Sequence, residues 1–177
     1  DTKASSDVAQ FVITRDVNVG NALVQKYGST HLIFGDDLLE KLPNLGFYAY
    51  NSTNVDDPRI QGVFGVVMGC TRNETVLTKE VSYACGGNTF SEAQMTAMPT
   101  SWTETPNQMQ DSTAFYLYRD FDNRRVYAFT RAANESMLVR LWFGDEEMKP
   151  YYTEIYRNTG GVRIFEVNTP VLVQIAS

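Results

Sequence analysis

The sequence predicts an all-β protein, an antiparallel β-sandwich or barrel with one or two short helices. Between residues 114 and 175, runs of aromatic and β-branched residues alternate with turn clusters at near-regular spacing, which is typical of sandwiches and barrels. The predicted strands of this region are Ala114–Tyr118, Arg125–Thr130, Met137–Phe143, Tyr151–Tyr156, Val162–Val167 and Val171–Ile175. No internal repeat or linker interrupts the chain, so a single domain is expected over residues 1–177.

The sequence of residues 1–113 predicts short helices and strands and one long loop. Asp16–Gly28 is compatible with a short helix capped by Asp16, and Asp36–Leu45 reads as a helix that Pro43 cuts short. Residues 86–113 form a long stretch rich in Gly, Ser, Thr and Pro, which predicts an irregular loop. The predicted strands here are Val8–Thr14, His31–Phe34, Phe47–Tyr50, Val63–Met68 and Thr75–Tyr83.

Aromatic and charged side chains are interleaved on one face of the predicted meander. Period-2 alternation places Leu138, Arg140 and Trp142 on one side of their strand. Rings supply contact area at low entropy cost while Arg and Glu supply directional hydrogen bonds, so such a face is typical of glycan and protein contacts. Cross-strand pairing that only stabilises the sheet is the alternative. The binding candidates on these strands are Tyr116, Tyr118, Trp142 and Tyr152.

The loop from Gly86 to Ser112 is expected to lie at one end of the sheet and to form part of a contact surface. Trp102 and one or more of Met95, Met98 and Met109 are its expected anchors, because Trp and Met are enriched where proteins bury surface against partners. The alternative is that these side chains fold back and close the open end of the sheet.

Cys70 and Cys85 are the only two cysteines, and the local pattern favours free thiols. A hairpin turn centred between Asn73 and Glu74 would place Cys70 opposite Leu77 rather than opposite Cys85. A Cys70–Cys85 bridge stays possible if the chain returns by another route.

Three N-glycosylation sequons occur, at Asn51, Asn73 and Asn134. This is about as many as chance gives for a chain with this content of Asn, Ser and Thr. The sequons by themselves therefore do not decide where the protein resides.

Charge and motif content argue against several functions. The net charge of −6 and the lack of a basic stripe argue against nucleic-acid binding, and no apolar run is long enough for membrane insertion. No zinc, calcium or phosphate-binding motif is present, so no metal or cofactor is expected. The hydrolase alternative rests on His31, the only histidine, with Ser29 and Asp36 or Asp37 nearby, but no nucleophile-elbow motif accompanies them.

The aromatic meander, the long irregular loop and the composition, rich in Asn, Thr, Gln and Tyr and poor in Lys, resemble the protruding domains of capsid proteins from small non-enveloped RNA viruses. That resemblance implies a non-enzymatic domain on the virion surface that attaches to a protein or glycan receptor or associates with its own copies. The rival hypothesis is a secreted, lipocalin-like glycoprotein that holds a small apolar ligand in a closed barrel, with a Cys70–Cys85 bridge.

Overall fold

Helices and strands are mixed throughout the chain, so the all-β prediction is wrong. A computed structural model describes residues 2–107, 115–159 and 161–172. The helices within these ranges are α1 (Thr2–Ile13), α2 (Val17–Lys26), α3 (Asp37–Glu40), α4 (Leu42–Tyr50), α5 (Glu92–Ala97), α6 (Arg131–Asn134), α7 (Met137–Trp142) and α8 (Thr169–Leu172), with a 3-10 helix at Glu146–Met148. The strands are β1 (His31–Gly35), β2 (Gly65–Glu74), β3 (Val81–Cys85), β4 (Asn88–Ser91), β5 (Tyr116–Arg119), β6 (Arg125–Phe129), β7 (Tyr152–Arg157) and β8 (Val162–Val167).

The strands pair antiparallel in two separate sheets. The smaller sheet has the order β1-β8-β7 and the larger has the order β4-β3-β2-β6-β5. Neither sheet closes on itself among the described strands, so the structure supports no barrel. Strands β4 and β5 form the edges of the larger sheet, and the candidate site lies next to β5.

Several predicted elements are confirmed. Strands β6, β7 and β8 lie in the predicted runs, and α2 begins after Asp16, whose side chain accepts hydrogen bonds from the backbone N–H groups of Asn18 and Val19. The run at Val171–Ile175 was predicted as a strand, but α8 includes Val171, and residues 173–177 lie outside the described ranges.

The run Met137–Phe143 forms α7 rather than a strand. Ser136 caps the helix through Val139 N–H, and Gly144 follows it with a φ of 71°, so both ends carry helix-terminating residues. All six helical side chains are buried. Five of its six residues are apolar, so the segment gives no periodicity that separates strand from helix, and the two caps are the signal that decides.

Two other predicted strands are helical for a similar reason. In α1, Ala9, Val12 and Ile13 are buried at the i, i+3, i+4 spacing of a helix, although Val8–Thr14 was predicted as a strand. Phe47–Tyr50 belongs to α4, where Pro43 lies in the first turn, a position that tolerates its missing N–H. Pro43 therefore starts a second helix instead of only ending the first.

The main core lies between α1, α4, α7 and the two sheets. The Phe11 ring of α1 stacks on Phe34 of β1 with ring centres 6.2 Å apart, and it meets Tyr152 of β7 edge-on. Phe143 stacks on Tyr118 of β5 with ring centres 4.2 Å apart. Rings at these separations contribute about 0.5–1.5 kcal/mol each beyond their buried area. The single domain expected for residues 1–177 stays a prediction.

A disulfide joins Cys70 and Cys85, so the expectation of free thiols is wrong. The two cysteines face each other on β2 and β3, and the pairing continues to Glu74 opposite Val81. The hairpin loop is therefore Thr75–Glu80, and the turn lies about four residues later in the chain than the sequence suggested. The polar residues around Asn73 belong to a strand and not to the turn.

No helix among the described residues is both long enough and apolar enough to cross a lipid bilayer.

We expect reduction of the Cys70–Cys85 bridge to destabilise the folded protein by about 3 kcal/mol, the loop-entropy contribution for a separation of 15 residues. Urea unfolding with and without a reductant measures this difference. The Cys70→Ala/Cys85→Ala variant serves as the control, since its stability should not respond to reductant. Two free thiols in the native, oxidised protein would contradict the bridge.

Candidate functional site

A polar pocket of about 420 Å³ opens beside β5, α6 and α7. We call it the Trp102 pocket. It combines two aromatic rings, three arginines, three glutamates and one asparagine. Its lining residues are Arg15, Trp102, Glu104, Tyr116, Arg131, Asn134, Glu135, Arg140 and Glu147. A volume in this range suits a small ligand or part of a larger one.

The segment of residues 99–107 forms one side of the pocket because it is tied to the edge strand β5. The Asn107 side chain accepts a hydrogen bond from Leu117 N–H at 2.6 Å and donates one to the Leu117 carbonyl at 2.7 Å. The Arg119 N–H donates to the Pro99 carbonyl at 3.0 Å. These bonds use the outward backbone groups of β5, which an edge strand otherwise leaves without partners.

A closed ring of hydrogen bonds fixes the middle of this segment. Thr103 N–H donates to the Tyr118 hydroxyl at 3.2 Å, and that hydroxyl donates to Asn134 Oδ1 at 2.5 Å. Asn134 Nδ2 donates back to the Thr103 carbonyl at 3.0 Å. Tyr118 and Asn134 are 0% and 1% exposed, so each polar atom in the ring needs its partner. We call these three residues the Tyr118 ring.

Trp102 is held by two further hydrogen bonds. Its backbone N–H donates to the Phe143 carbonyl at 2.9 Å, and its indole Nε1 donates to the Asn134 carbonyl at 2.8 Å. The side chain is half-buried, with its body against the main core and part of its surface in the pocket. This tryptophan is therefore positioned before any ligand arrives.

Arg140 supplies a charged wall next to Trp102. It is 8% exposed, and its Nε donates to Asp145 at 2.5 Å while its Nη2 donates to Glu147 at 2.7 Å. Its guanidinium carbon lies 5.4 Å from the centre of the Trp102 ring, within cation–π range. Asp145 is also buried, so the opposite charges of Arg140 and Asp145 balance each other away from water.

The opposite wall carries a more exposed charge cluster. Glu135 accepts hydrogen bonds from Arg131 at 2.7 Å and from Arg15 at 3.4 Å. The Arg131 and Arg15 side chains are 78% and 58% exposed. Exposed pairs of this kind contribute little to stability, so these groups are available to exchange one another for a ligand.

The arrangement offers hydrogen-bond donors and acceptors around two rings and presents no nucleophile paired with a base. Planar guanidinium, carboxylate and amide groups recognise hydroxyl and amide groups by direction. Aromatic side chains offer area at low entropy cost. The described residues hold no cluster of three or more His, Cys, Asp or Glu that could bind a metal ion.

The six residues that the sequence predicts to bind a ligand do not lie in one site. Trp102 and Tyr116 line the pocket, and Tyr118 lies directly behind it in the hydrogen-bonded ring. The other three are buried elsewhere: Trp142 and Tyr152 belong to the main core, and Met98 packs with Met95 in a smaller core beside β3 and β4. Met109, the last expected anchor, lies outside the described residues. Their roles in binding stay predictions.

Most residues of the pocket lining have no functional assignment from the sequence. Asn134 stands out only as a sequon, and Arg131 and Glu135 belong to no motif. Arg140 was placed on a strand face, although it is on α7. The Thr130 and Ser136 caps were the available signals, because they start two short helices that bring these side chains together.

The residues of the hydrolase hypothesis do not form a triad. His31 Nδ1 lies 3.0 Å from the Thr30 hydroxyl, while Asp36 pairs with Arg125 and Asp37 pairs with Lys41. Both carboxylates are thus bound to cations. Hydrolase activity itself stays untested.

Comparison with known proteins gives a weak structural likeness. No protein-family model and no curated protein matches the chain. It is similar to the crystal structure of the C-terminal globular domain of an oligosaccharyltransferase from Pyrococcus abyssi, at 10% identity and a TM-score of 0.49. The likeness covers 92% of this chain and 42% of that one, so this chain spans less than half of that structure's length. At this level it carries no argument about fold or function.

We expect Asn134→Ala to lower the free energy of unfolding by about 2–4 kcal/mol, because it removes the hydrogen bonds of a buried amide to the Tyr118 hydroxyl and to the Thr103 carbonyl and leaves a cavity in their place. Urea unfolding measures the loss. Asn18→Ala, at an exposed helical position, is the matched control and should stay within about 0.5 kcal/mol of the wild type. Equal effects of the two substitutions would contradict the Tyr118 ring.

We expect alkaline pH to lower the free energy of unfolding, because the Tyr118 hydroxyl of the same ring titrates there. Burial raises the pKa of Tyr118 to about 12, from 10.0 for an ordinary tyrosine. Below pH 10 the hydroxyl is protonated in both the folded and the unfolded chain, so its contribution is complete. Between pH 10 and about 12 only the unfolded chain loses this proton, so stability falls by up to about 1.4 kcal/mol per pH unit.

Tyr118→Phe should make this fall shallower, as measured by urea unfolding at several alkaline pH values. Tyr48→Phe, which changes a ring that is 68% exposed, serves as the control. If Tyr118→Phe keeps the full alkaline slope, Tyr118 does not titrate as described.

Proposed function

We propose that this chain is a non-enzymatic binding domain whose Trp102 pocket recognises a carbohydrate. The observation that carries the proposal is the placement of Trp102 and Tyr116 in one pocket with Asn134 and six charged side chains. Sugars present apolar C–H faces that pack on aromatic rings, and hydroxyl groups that both donate and accept hydrogen bonds. The pocket offers partners for both kinds of surface.

The charge of the lining favours a ligand without a large net charge. Three arginines face three glutamates, and Glu135, Arg131 and Arg140 already have partners of opposite sign. A strongly charged ligand would leave one set of these groups unmatched, at a cost in free energy. A neutral sugar can exchange hydroxyl contacts for water on both sets.

The polar lining argues against the small apolar ligand of the lipocalin-like hypothesis at this pocket. An apolar molecule would bury the guanidinium and carboxylate groups without giving them hydrogen bonds. A protein receptor is the other candidate from the sequence analysis, but most of the lining is charged, and the cores of protein interfaces are depleted in charged residues.

The hydrogen bonds behind the pocket support binding because they reduce its entropic cost. Trp102 is held by two bonds before a ligand arrives, and Arg140 is held by Asp145 and Glu147. A site whose side chains are already ordered loses less freedom when the ligand binds.

Receptor attachment by a viral capsid protrusion was the more specific expectation, and it stays a prediction. Its resemblance implied an all-β domain, and the fold is mixed. The binding function proposed here rests on the pocket alone and holds for a domain in any location.

We expect Arg131→Gln to weaken carbohydrate binding about tenfold, because it removes a charged donor from the pocket wall. An array of neutral and acidic oligosaccharides identifies the binder, and calorimetric titration measures its affinity. Arg124→Gln is the matched control: both arginine side chains are 78% exposed and paired with one carboxylate, but Arg124 is in the β5–β6 turn.

The proposal predicts unchanged affinity for Arg124→Gln. It is wrong if the folded wild type binds no oligosaccharide on the array, or if the two substitutions weaken binding equally. Retention of a protein ligand instead of a sugar would reassign the pocket to protein recognition.

A further inference from the structure

The three sequons of the chain lie in different surroundings, and they therefore differ in whether their asparagine is accessible for modification. We propose that Asn51 and Asn73 accept N-linked glycans and that Asn134 does not. The proposal concerns covalent modification and is independent of the sugar-binding role of the pocket.

Asn134 is excluded by burial. It is 1% exposed, and Nδ2, the atom that would carry the glycan, donates to the Thr103 carbonyl at 3.0 Å. The sequon hydroxyl belongs to Ser136, which is 0% exposed and caps α7. A glycan at this position cannot coexist with the Tyr118 ring, because the sugar would occupy space that Thr103 and Tyr118 fill.

Asn51 lies in an open position at the end of α4. Its φ of 47° is left-handed, as is common for an Asn that ends a helix, and the residue is exposed. Thr53, which supplies the hydroxyl of the sequon, is exposed as well. Within the described part of the chain, the Asn51 side-chain amide has no hydrogen-bond partner.

Asn73 is open for a different reason. It lies near the end of β2, opposite Ser82 and next to the Thr75–Glu80 loop. Residues 71–80 are all exposed, including Thr75, the hydroxyl residue of this sequon. Its side-chain amide likewise makes no hydrogen bond to a described residue.

Exposed apolar side chains lie beside both sites. Tyr48 and Val55, on either side of Asn51, are 68% and 70% exposed. Val76 and Leu77, in the loop that follows Asn73, are 78% and 93% exposed. Large exposed apolar groups favour association, and a glycan attached three or four residues away would cover them.

The modification requires a donor, and the disulfide is consistent with a compartment that holds one. The donor class is an oligosaccharide on a lipid phosphate or pyrophosphate. Transfer forms a bond from asparagine Nδ2 to the anomeric carbon, breaks the bond from that carbon to the phosphate oxygen and releases an amide proton. The Cys70–Cys85 bridge forms in oxidising compartments, where this transfer also takes place.

The test is expression of the full chain behind a secretion signal in a cell that transfers N-glycans. Secreted protein that carries the Cys70–Cys85 bridge is treated with a peptide-N-glycosidase in ¹⁸O water. This enzyme releases the glycan and converts each glycosylated Asn to labelled Asp. Peptide mass spectrometry then reads the three positions. We expect label at Asn51 and Asn73 and none at Asn134.

Thr53→Ala and Thr75→Ala remove one glycan mass each while leaving the asparagines in place, and Thr71→Ala, which lies outside any sequon, removes none. Because these threonines are all exposed, the substitutions should not disturb folding. Unlabelled Asn51 and Asn73 in the secreted protein overturn the proposal, and so does label at Asn134 in protein that contains the bridge.

Discussion

The ring of hydrogen bonds between Thr103, Tyr118 and Asn134 is the constraint on which the rest of the site depends. It closes through direct bonds between protein groups, and Tyr118 and Asn134 are almost fully buried. Low local polarity strengthens bonds that are complete and penalises any that are missing. The ring therefore behaves as a unit: it joins the segment before β5 to β5 itself and to α6, and it does so in one geometry.

Protection of a sheet edge and construction of the pocket use the same segment. Residues 99–107 cover β5 through Pro99 and Asn107, and they place Trp102 against Arg140. An exposed edge strand is open to pairing with other chains, so the cover has a structural role even without a ligand. Residues 99–107 leave a space beside α6, and this space is the Trp102 pocket. Arg131 and Glu135 are part of its lining.

The fold was predictable where local signals were strong. Strands β6, β7 and β8 come from runs of aromatic and β-branched residues bounded by turn clusters, and Asp16 caps α2 as expected. Prediction failed for α7, because this helix is buried on all sides and five of its six residues are apolar, so only the caps Ser136 and Gly144 reveal it. Prediction failed for the disulfide because the register of a hairpin depends on where its loop lies. The turn-like residues near Asn73 suggested a loop there, but they belong to β2.

The candidate site was only partly predictable, for reasons of distance along the chain. Trp102 stood out as an aromatic residue in a polar stretch and Tyr116 as part of the aromatic meander, and both line the pocket. The partner of Tyr118 is 16 residues away, and that of Trp102 is 32 residues away. No local pattern brings Asn134 to these side chains, since the contact exists only after β5, β6 and α6 have assembled.

The most direct test of the central claim is the exchange rate of the Trp102 indole proton, followed by NMR. The chain has two tryptophans, so the two indole signals can be assigned with a Trp102→Phe variant. If the Tyr118 ring holds Trp102, this proton is strongly protected in the wild type, and Tyr118→Phe accelerates its exchange at least tenfold more than that of Trp142. Exchange of the Trp102 proton that is fast in the wild type, or unaffected by Tyr118→Phe, would contradict the account.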